Sequence, residues 1–313
     1  MLSTEYQPPI LTDLPEPVAE RRGVRLRVLR DDLHHPELPG NKWRKLKYNL
    51  LAAREQGHAA LLTFGGAYSN HLAAVATAGR LYGFRTIGIV RGDELEPHNP
   101  TLTACAAQGM QLHFVSREDY RRRHDAAWLA DVLQRLGPAY VLPEGGTNAL
   151  AVRGCAEIVS ELEAAHEPFD ALTVACGTGG TLAGLVLGSQ GHQQVVGVSA
   201  LKGSGGSLRA EVERWVQQTA GRTFGNWELR TEFHFGGYAR YSVPLLAFIE
   251  QFYQRHGVLL DPVYTGKLLY GTLALVEAGH FPRGSTVVAV HTGGLQGWAG
   301  FAARFGVRPP AAV

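Results

Sequence analysis

The sequence predicts an α/β protein built on two open, twisted, mostly parallel sheets flanked by helices. Three observations carry that expectation. Short apolar runs alternate with stretches of helical spacing along the chain. The joint between run and helix is repeatedly a glycine turn, and the 38 glycines exceed the roughly 7% of an average composition. The 313 residues correspond to two domains at about 150 residues each, with no low-complexity linker or repeat between them.

The elements follow in order. Residues 24–29 (VRLRVL) read as a strand, followed by a loop running to Gly40. Residues 42–56 have helical spacing, with Leu46, Leu50 and Leu51 on one face. ALLTF (60–64) is a short apolar run ending in Gly65-Gly66, and 71–82 reads as helix. FRTIGIV (84–90) and MQLHFV (110–115) repeat the strand pattern, each with a helix after it. AYVLP (139–143) precedes Gly145-Gly146 and a helix at 149–165. A strand at 171–175, a glycine loop at 177–180 and strands at 194–199 and 286–290 complete the pattern. Strand, glycine turn and helix in such alternation predict parallel sheets covered by helices.

Composition excludes several classes. With 45% hydrophobic and 19% charged residues the chain can bury a core and is not disordered. Lys+Arg 30 against Asp+Glu 28 leaves +2, too little to draw the protein to nucleic acid or an anionic membrane. No run of about 18 apolar residues predicts a membrane span, and the N-terminal residues do not read as a signal peptide. Cys105, Cys155 and Cys176 are odd in number and lack CxxC spacing, so no disulfide framework or metal site is expected. These features predict a reduced, soluble, cytoplasmic protein.

In open parallel sheets ligands bind beyond the carboxyl ends of the strands, so the glycine turns are where chemistry is expected. Gly177-Thr178-Gly179-Gly180-Thr181 lies between the strand ALTVA and an apolar helix. Converging backbone N–H groups and a helix N-terminus would hold a phosphate there, although the loop is neither a P-loop nor GxGxxG; the alternative is a tight packing turn. Lys42 and Lys45 belong to a basic helix start, GNKWRKLK. Cations are unfavourable in a first turn, so a lysine held there has a depressed pKa suited to Schiff-base chemistry; a solvated charged face is the alternative. Ser69, Asn70 and His71 follow Gly65-Gly66 and open a helix, where Ser69 or Asn70 could act as its cap. No G-x-S-x-G elbow accompanies them. Tyr264 and Thr265 stand in DPVYTGK, with Tyr264 either an acid–base group or a structural tyrosine, and Thr292 stands in the glycine turn HTGG.

Taken in order, PGNKWRKLKYNL, TFGGAYSNH, PEGGTNAL, CGTGGTLAG, DPVYTGK and HTGG resemble one family. It is that of the 1-aminocyclopropane-1-carboxylate (ACC) deaminases and D-cysteine desulfhydrases, pyridoxal 5'-phosphate enzymes of the tryptophan-synthase-β fold (fold type II). The likeness spans about residues 24–297. It implies that Lys42 carries the cofactor through a Schiff base and exchanges protons with the substrate. It further implies phosphate binding by Gly177, Thr178, Gly179, Gly180 and Thr181, with Lys45 helping to neutralise charge. Asn70 would lie against the cofactor ring, Ser69 near the substrate carboxylate, and His71 in the same substrate loop. Tyr264 matches the family's active-site tyrosine. The ACC deaminases resemble DPVYEGK and HLGG at two positions where this chain has Thr265 and Thr292, as the desulfhydrases do.

That difference has a physical reading. A carboxylate at the pyridine nitrogen keeps it protonated and makes a strong electron sink, which opening an unactivated cyclopropane demands. A threonine hydroxyl gives a weaker sink, enough for β-elimination of a good leaving group. The expected reaction is therefore β-elimination on a small D-amino acid, D-cysteine giving pyruvate, ammonia and hydrogen sulfide. ACC deamination to 2-oxobutyrate, a lyase or racemase acting on another amino acid, and a non-catalytic cofactor-binding relative are the alternatives. The segment Phe235–Pro244 departs from the family, and Tyr238, ahead of Tyr241, is expected to be the second active-site tyrosine. The loop DDLHHPELPG is expected to be plain solvated loop, or else to reshape the pocket mouth. Residues 48–150 are expected to form a small domain and 1–47 with 151–313 a large cofactor-binding one, as a homodimer.

Overall fold

A computed structural model describes residues 8–92 and 99–311. Among the described residues ten strands form two sheets. The larger runs β1-β2-β10-β7-β8-β9, from β1 (Leu11–Asp13), β2 (Arg25–Leu29), β7 (Ala171–Cys176), β8 (Gln194–Ser199), β9 (Trp227–Arg230) and β10 (Thr286–Val290). The smaller runs β5-β4-β3-β6, from β3 (Ala60–Gly65), β4 (Arg85–Arg91), β5 (Met110–Val115) and β6 (Tyr140–Val141). Every pairing is parallel except β1 with β2. The two edge strands of the larger sheet, β1 and β9, escape the sequence reading because three or four residues give no period to detect.

Both faces of each sheet are covered, which explains why the central strands read as continuous apolar runs and not as alternating ones. Along β7, Ala171 and Ala175 enter one core cluster while Leu172, Val174 and Cys176 enter the other. The same two-residue alternation splits β3, where Ala60, Leu62 and Phe64 face one way and Leu61 the other. The one hydroxyl in the middle of β7, Thr173, is satisfied by Thr272 at 2.9 Å.

The helix bearing Lys42 spans Asn41–Glu55, with Leu46 and Leu50 fully buried and packed in the cluster that contains Leu61, Leu72 and Val75. It runs through residue 47 without a break. All four strands of the smaller sheet lie between residues 60 and 141, and on that distribution we propose the division 48–150 against 1–47 with 151–313, bridged by this helix.

One expectation fails. The loop 31–40 is only partly solvated: Leu33, Pro36 and Glu37 are exposed, but Asp31 and Asp32 are buried. Asp31 accepts from Arg44 at 2.7 Å, and Arg44, 1% exposed, grips Glu161 with two further bonds of 3.0 and 2.7 Å. Asp32 pairs with Arg30 and lies 3.2 Å from His291. His35 packs on Trp43. A run of polar letters looks solvated until the partners it will meet, from distant segments, are known. Among the described residues no helix is long and apolar enough to cross a membrane, and the three cysteines are free and buried.

Candidate active site

Loops leaving β2, β3, β6, β7 and β10 at their carboxyl ends meet one another and the turn 261–264. Glycines permit the approach. Gly40 has φ +65, and a Cβ on it would stand 2.2 Å from the Thr292 carbonyl oxygen, so the Lys42 helix can start only where glycine lets it touch the 291–294 turn. A Cβ on Gly294 would stand 3.3 Å from both Asn70 Nδ2 and Asp261 Oδ2, which places those two groups beside the same turn.

Lys42 occupies the second position of its helix. Its Nζ donates to Asn41 Oδ1 at 2.7 Å, and Asn41 Nδ2 donates to Thr181 Oγ1 at 3.0 Å, so one amide ties the lysine to the glycine loop. Burial, and after it the Lys45 charge, pulls the Lys42 pKa down to about 7. The depression expected from the sequence is therefore present, with desolvation its largest cause and the neighbouring Lys45 cation the next. Lys45 is held against the loop 145–147, donating to the Gly145 carbonyl at 2.9 Å and to Thr147 Oγ1 at 3.3 Å. Burial lowers its pKa as well.

The helix Gly180–Ser189 begins at Gly179, which has φ +83 and offers no side-chain cap to the first-turn N–H groups. A Cβ on Gly180 would stand 2.6 Å from Thr147 Oγ1, and one on Gly177 would stand 3.2 Å from the Tyr264 hydroxyl. Thr178 turns its hydroxyl to Thr147 at 2.7 Å. The result is a positive helix end lined by backbone and small hydroxyls.

Ser69 caps the helix Asn70–Tyr82, its Oγ accepting from Leu72 N at 3.2 Å. The His71 ring is buried beside Gly146, and neither ring nitrogen has a partner. Burial, with Lys42 and Lys45 nearby, holds its pKa well below the usual histidine value, so the ring is neutral. Tyr264 meets Tyr238 edge to face with ring centroids 6.1 Å apart. Burial, reinforced by Tyr238 and Asp261, drives the Tyr264 hydroxyl well above its ordinary pKa. Tyr241 instead packs on Phe301 and Phe305.

Sequence reasoning passed over Asp261. Fully buried, it accepts from the N–H groups of Val263, Tyr264 and Thr265 and from Thr265 Oγ1 at 2.7 Å. Thr265 Oγ1 in turn accepts from Asp261 N at 2.7 Å. The hydroxyl expected to meet a pyridine nitrogen has thus given its hydrogen away and keeps one lone pair. The Thr292 hydroxyl has no such engagement among the described residues. An Asp followed at short range by Pro and Thr was the available signal, since carboxylates accept from the N–H groups that follow them in turns. Asn41 and Thr147 were also missed; Asn41 reaches Thr181 across 140 residues and Thr147 reaches Thr178 across 31, so neither link has a local signature.

These residues fit pyridoxal phosphate. Among the described residues neither Lys42 nor Lys45 has a carboxylate at ion-pair distance, and the orphaned His71 ring lies beside them. A phosphate dianion at the uncapped helix end would supply the missing negative charge, and Lys42 supplies the amine an aldehyde needs.

Comparison with known proteins agrees. A family model described as "Pyridoxal-phosphate dependent enzyme" matches residues 4–293. The chain is 31% identical to the putative 1-aminocyclopropane-1-carboxylate deaminase of Pyrococcus horikoshii, covering 90% of this chain and 87% of that one. It is 31% identical to the bifunctional D-cysteine desulfhydrase/1-aminocyclopropane-1-carboxylate deaminase, mitochondrial, of Arabidopsis thaliana, covering 92% of this chain and 78% of that one. Among solved structures it resembles an ACC deaminase homologue, with TM-score 0.84, 28% identity, and coverage of 96% and 93%.

Proposed function

The chain belongs to the pyridoxal-phosphate-dependent enzyme family, and from that premise we propose that it catalyses β-elimination on a small D-amino acid. D-Cysteine is the substrate of choice, giving pyruvate, ammonia and hydrogen sulfide. The cofactor, when bound, supplies the electron sink that stabilises negative charge at the substrate α-carbon.

The protein's own groups divide the proton work. With a pKa near 7, the Lys42 amine is substantially neutral at physiological pH and takes the α-proton. Tyr264 keeps its proton and gives it to the departing sulfur as the Cβ–S bond breaks, releasing hydrogen sulfide. The two protons balance when Lys42 returns one to Tyr264 through solvent. The 2-aminoacrylate left behind tautomerises and takes up water, yielding pyruvate and ammonia. Ser69 receives the substrate carboxylate, Asn70 would support the cofactor ring, and His71, being neutral, adds no competing charge.

The observation that carries the reading is Thr265, where an ACC deaminase would have a carboxylate beside the tyrosine. The nearby Asp261 cannot substitute directly, because both its oxygens are occupied by backbone N–H groups and by Thr265 itself. Thr292 is the hydroxyl that would hold the cofactor's ring nitrogen, and the sink it would give is the weaker kind that suffices for thiolate departure. ACC deamination is the second reading, favoured only by the names of some relatives.

The test is release of sulfide and pyruvate from D-cysteine by the purified yellow protein, with L-cysteine and ACC alongside. Equimolar sulfide and pyruvate from the D-isomer alone is the expected result. Production of 2-oxobutyrate from ACC at a comparable rate would overturn it. The same reading carries a homodimer, to be checked by light scattering against twice the 33.9 kDa chain mass.

A further inference from the structure

Lys267 is 1% exposed and occupies the third position of the helix Thr265–Glu277, with no part in the proton work assigned above. Its Nζ donates to the Gly237 carbonyl at 2.7 Å and reaches the Ala200 carbonyl, just past β8, at 3.5 Å. Among the described residues it has no carboxylate at ion-pair distance. Burial brings its pKa down to about 8. An ammonium buried against carbonyls alone is costly, and a methionine of similar length would fill the space more cheaply, so packing does not account for it.

The carbonyl it holds belongs to an unusual loop. Phe235, Gly236, Gly237 and Ala239 all have positive φ, at +49, +95, +115 and +50. For Phe235 and Ala239 that region is unfavourable and persists only when contacts impose it. The Gly237 carbonyl also accepts from Arg240 N at 3.1 Å, closing a turn with Tyr238 at its tip. Tyr238 is 44% exposed, yet its ring stands against Tyr264, the residue that begins the Lys267 helix. The same helix grips the loop a second time, through Tyr270 edge to face on Phe235 at 4.9 Å.

We propose that Lys267 is a positioning residue: by tethering the Gly237 carbonyl it holds the strained turn that sets Tyr238 against Tyr264 and so shapes the substrate end of the site. The substrate-facing part of this inference rests on the proposed function; the tether itself does not. Without the tether the turn relaxes, Tyr238 swings into water, and the acid Tyr264 loses its neighbour.

Two variants, Lys267→Met and Lys267→Gln, test it in the full-length protein. Hydrogen–deuterium exchange of the apoprotein is expected to rise at least about tenfold at residues 235–240 in Lys267→Met, with β8 unchanged, and less in Lys267→Gln, which keeps a donor. In the cofactor-loaded enzyme, Lys267→Met is expected to lower kcat/KM about tenfold, mostly through KM. That loss should shrink to less than twofold in a Tyr238→Ala background, which removes the ring the tether positions, because contacts acting through one another are not additive. Unchanged exchange at 235–240, or fully additive losses, would overturn the proposal. Should Lys267→Met not fold, the exchange of Lys267→Gln decides alone. The exchange result needs no substrate, so inactivity toward D-cysteine would defeat the proposed reaction and leave the tether to its own test.

Discussion

Two glycine turns feed the candidate site, and they end differently. The turn after β3 finishes on Ser69, whose hydroxyl accepts from Leu72 N and closes its own helix. The turn after β7 finishes on Gly179, which has no side chain, and leaves the first N–H groups of the next helix uncapped. The first helix end is satisfied from within; the second is satisfied only by something brought to it. A helix N-terminus is therefore a binding element where the sequence withholds the cap and a scaffold element where it supplies one. Lys42 belongs to the open turn, through the Asn41 amide that reaches Thr181.

The comparison can be broken most severely at Lys42. Lys42→Ala should abolish the yellow absorbance of the holoprotein and lower kcat/KM by on the order of a thousandfold or more, since the covalent and acid–base roles vanish together. Retained activity would mean that the open turn is not the catalytic one.

The pH dependence sharpens the same point. The Lys42 pKa is lowered to about 7, so its amine is protonated below that value and neutral above it. Covalent uptake of pyridoxal phosphate by the apoprotein, followed by absorbance, should accelerate about tenfold per pH unit up to near 7 and then level off. An uptake rate still climbing toward pH 10 would show an ordinary lysine.

Filling the open turn should come next in size. Gly180→Ala puts a methyl 2.6 Å from Thr147 Oγ1, a crowding worth about 1–3 kcal/mol. Titration of the apoprotein should show cofactor affinity reduced about tenfold, with the fold retained by circular dichroism.

The self-capped turn predicts the smallest effect and the opposite pattern. Ser69→Ala should cost about 1 kcal/mol of stability in urea denaturation and raise the substrate KM, while cofactor affinity stays within about twofold. If Ser69→Ala weakened the cofactor as much as Gly180→Ala, the distinction between the turns would fail.

Much of this was legible beforehand. The central strands β3, β7 and β10 were readable because their apolar runs end in glycine, and the same punctuation marked the turns that converge. Lys42, Ser69, Asn70 and Tyr264 were readable from ordered motifs, and the structure brings them into one neighbourhood. The buried triad of Asp31, Arg44 and Glu161 was not legible, because ion pairs across 13 and 117 residues have no local signature. The commitment of the Thr265 hydroxyl to Asp261 was equally invisible, since a hydroxyl beside a tyrosine looks available until its partner is placed.

The sequence by itself determined the α/β class, the positions of the glycine turns, the lysine at a helix start and the identity of Thr265 and Thr292 in their two motifs. These are local properties: periodicity, turn chemistry and residue identity are written in consecutive letters. Only the tertiary structure decided which hydroxyls and charges remain uncommitted. Desolvation and the Lys45 charge lower the Lys42 pKa; Asp261 takes the Thr265 hydroxyl; the Lys267 ammonium donates to the Gly237 carbonyl. Each depends on what a side chain meets after folding, because burial and hydrogen-bond satisfaction are set by residues far apart in the chain and close in space.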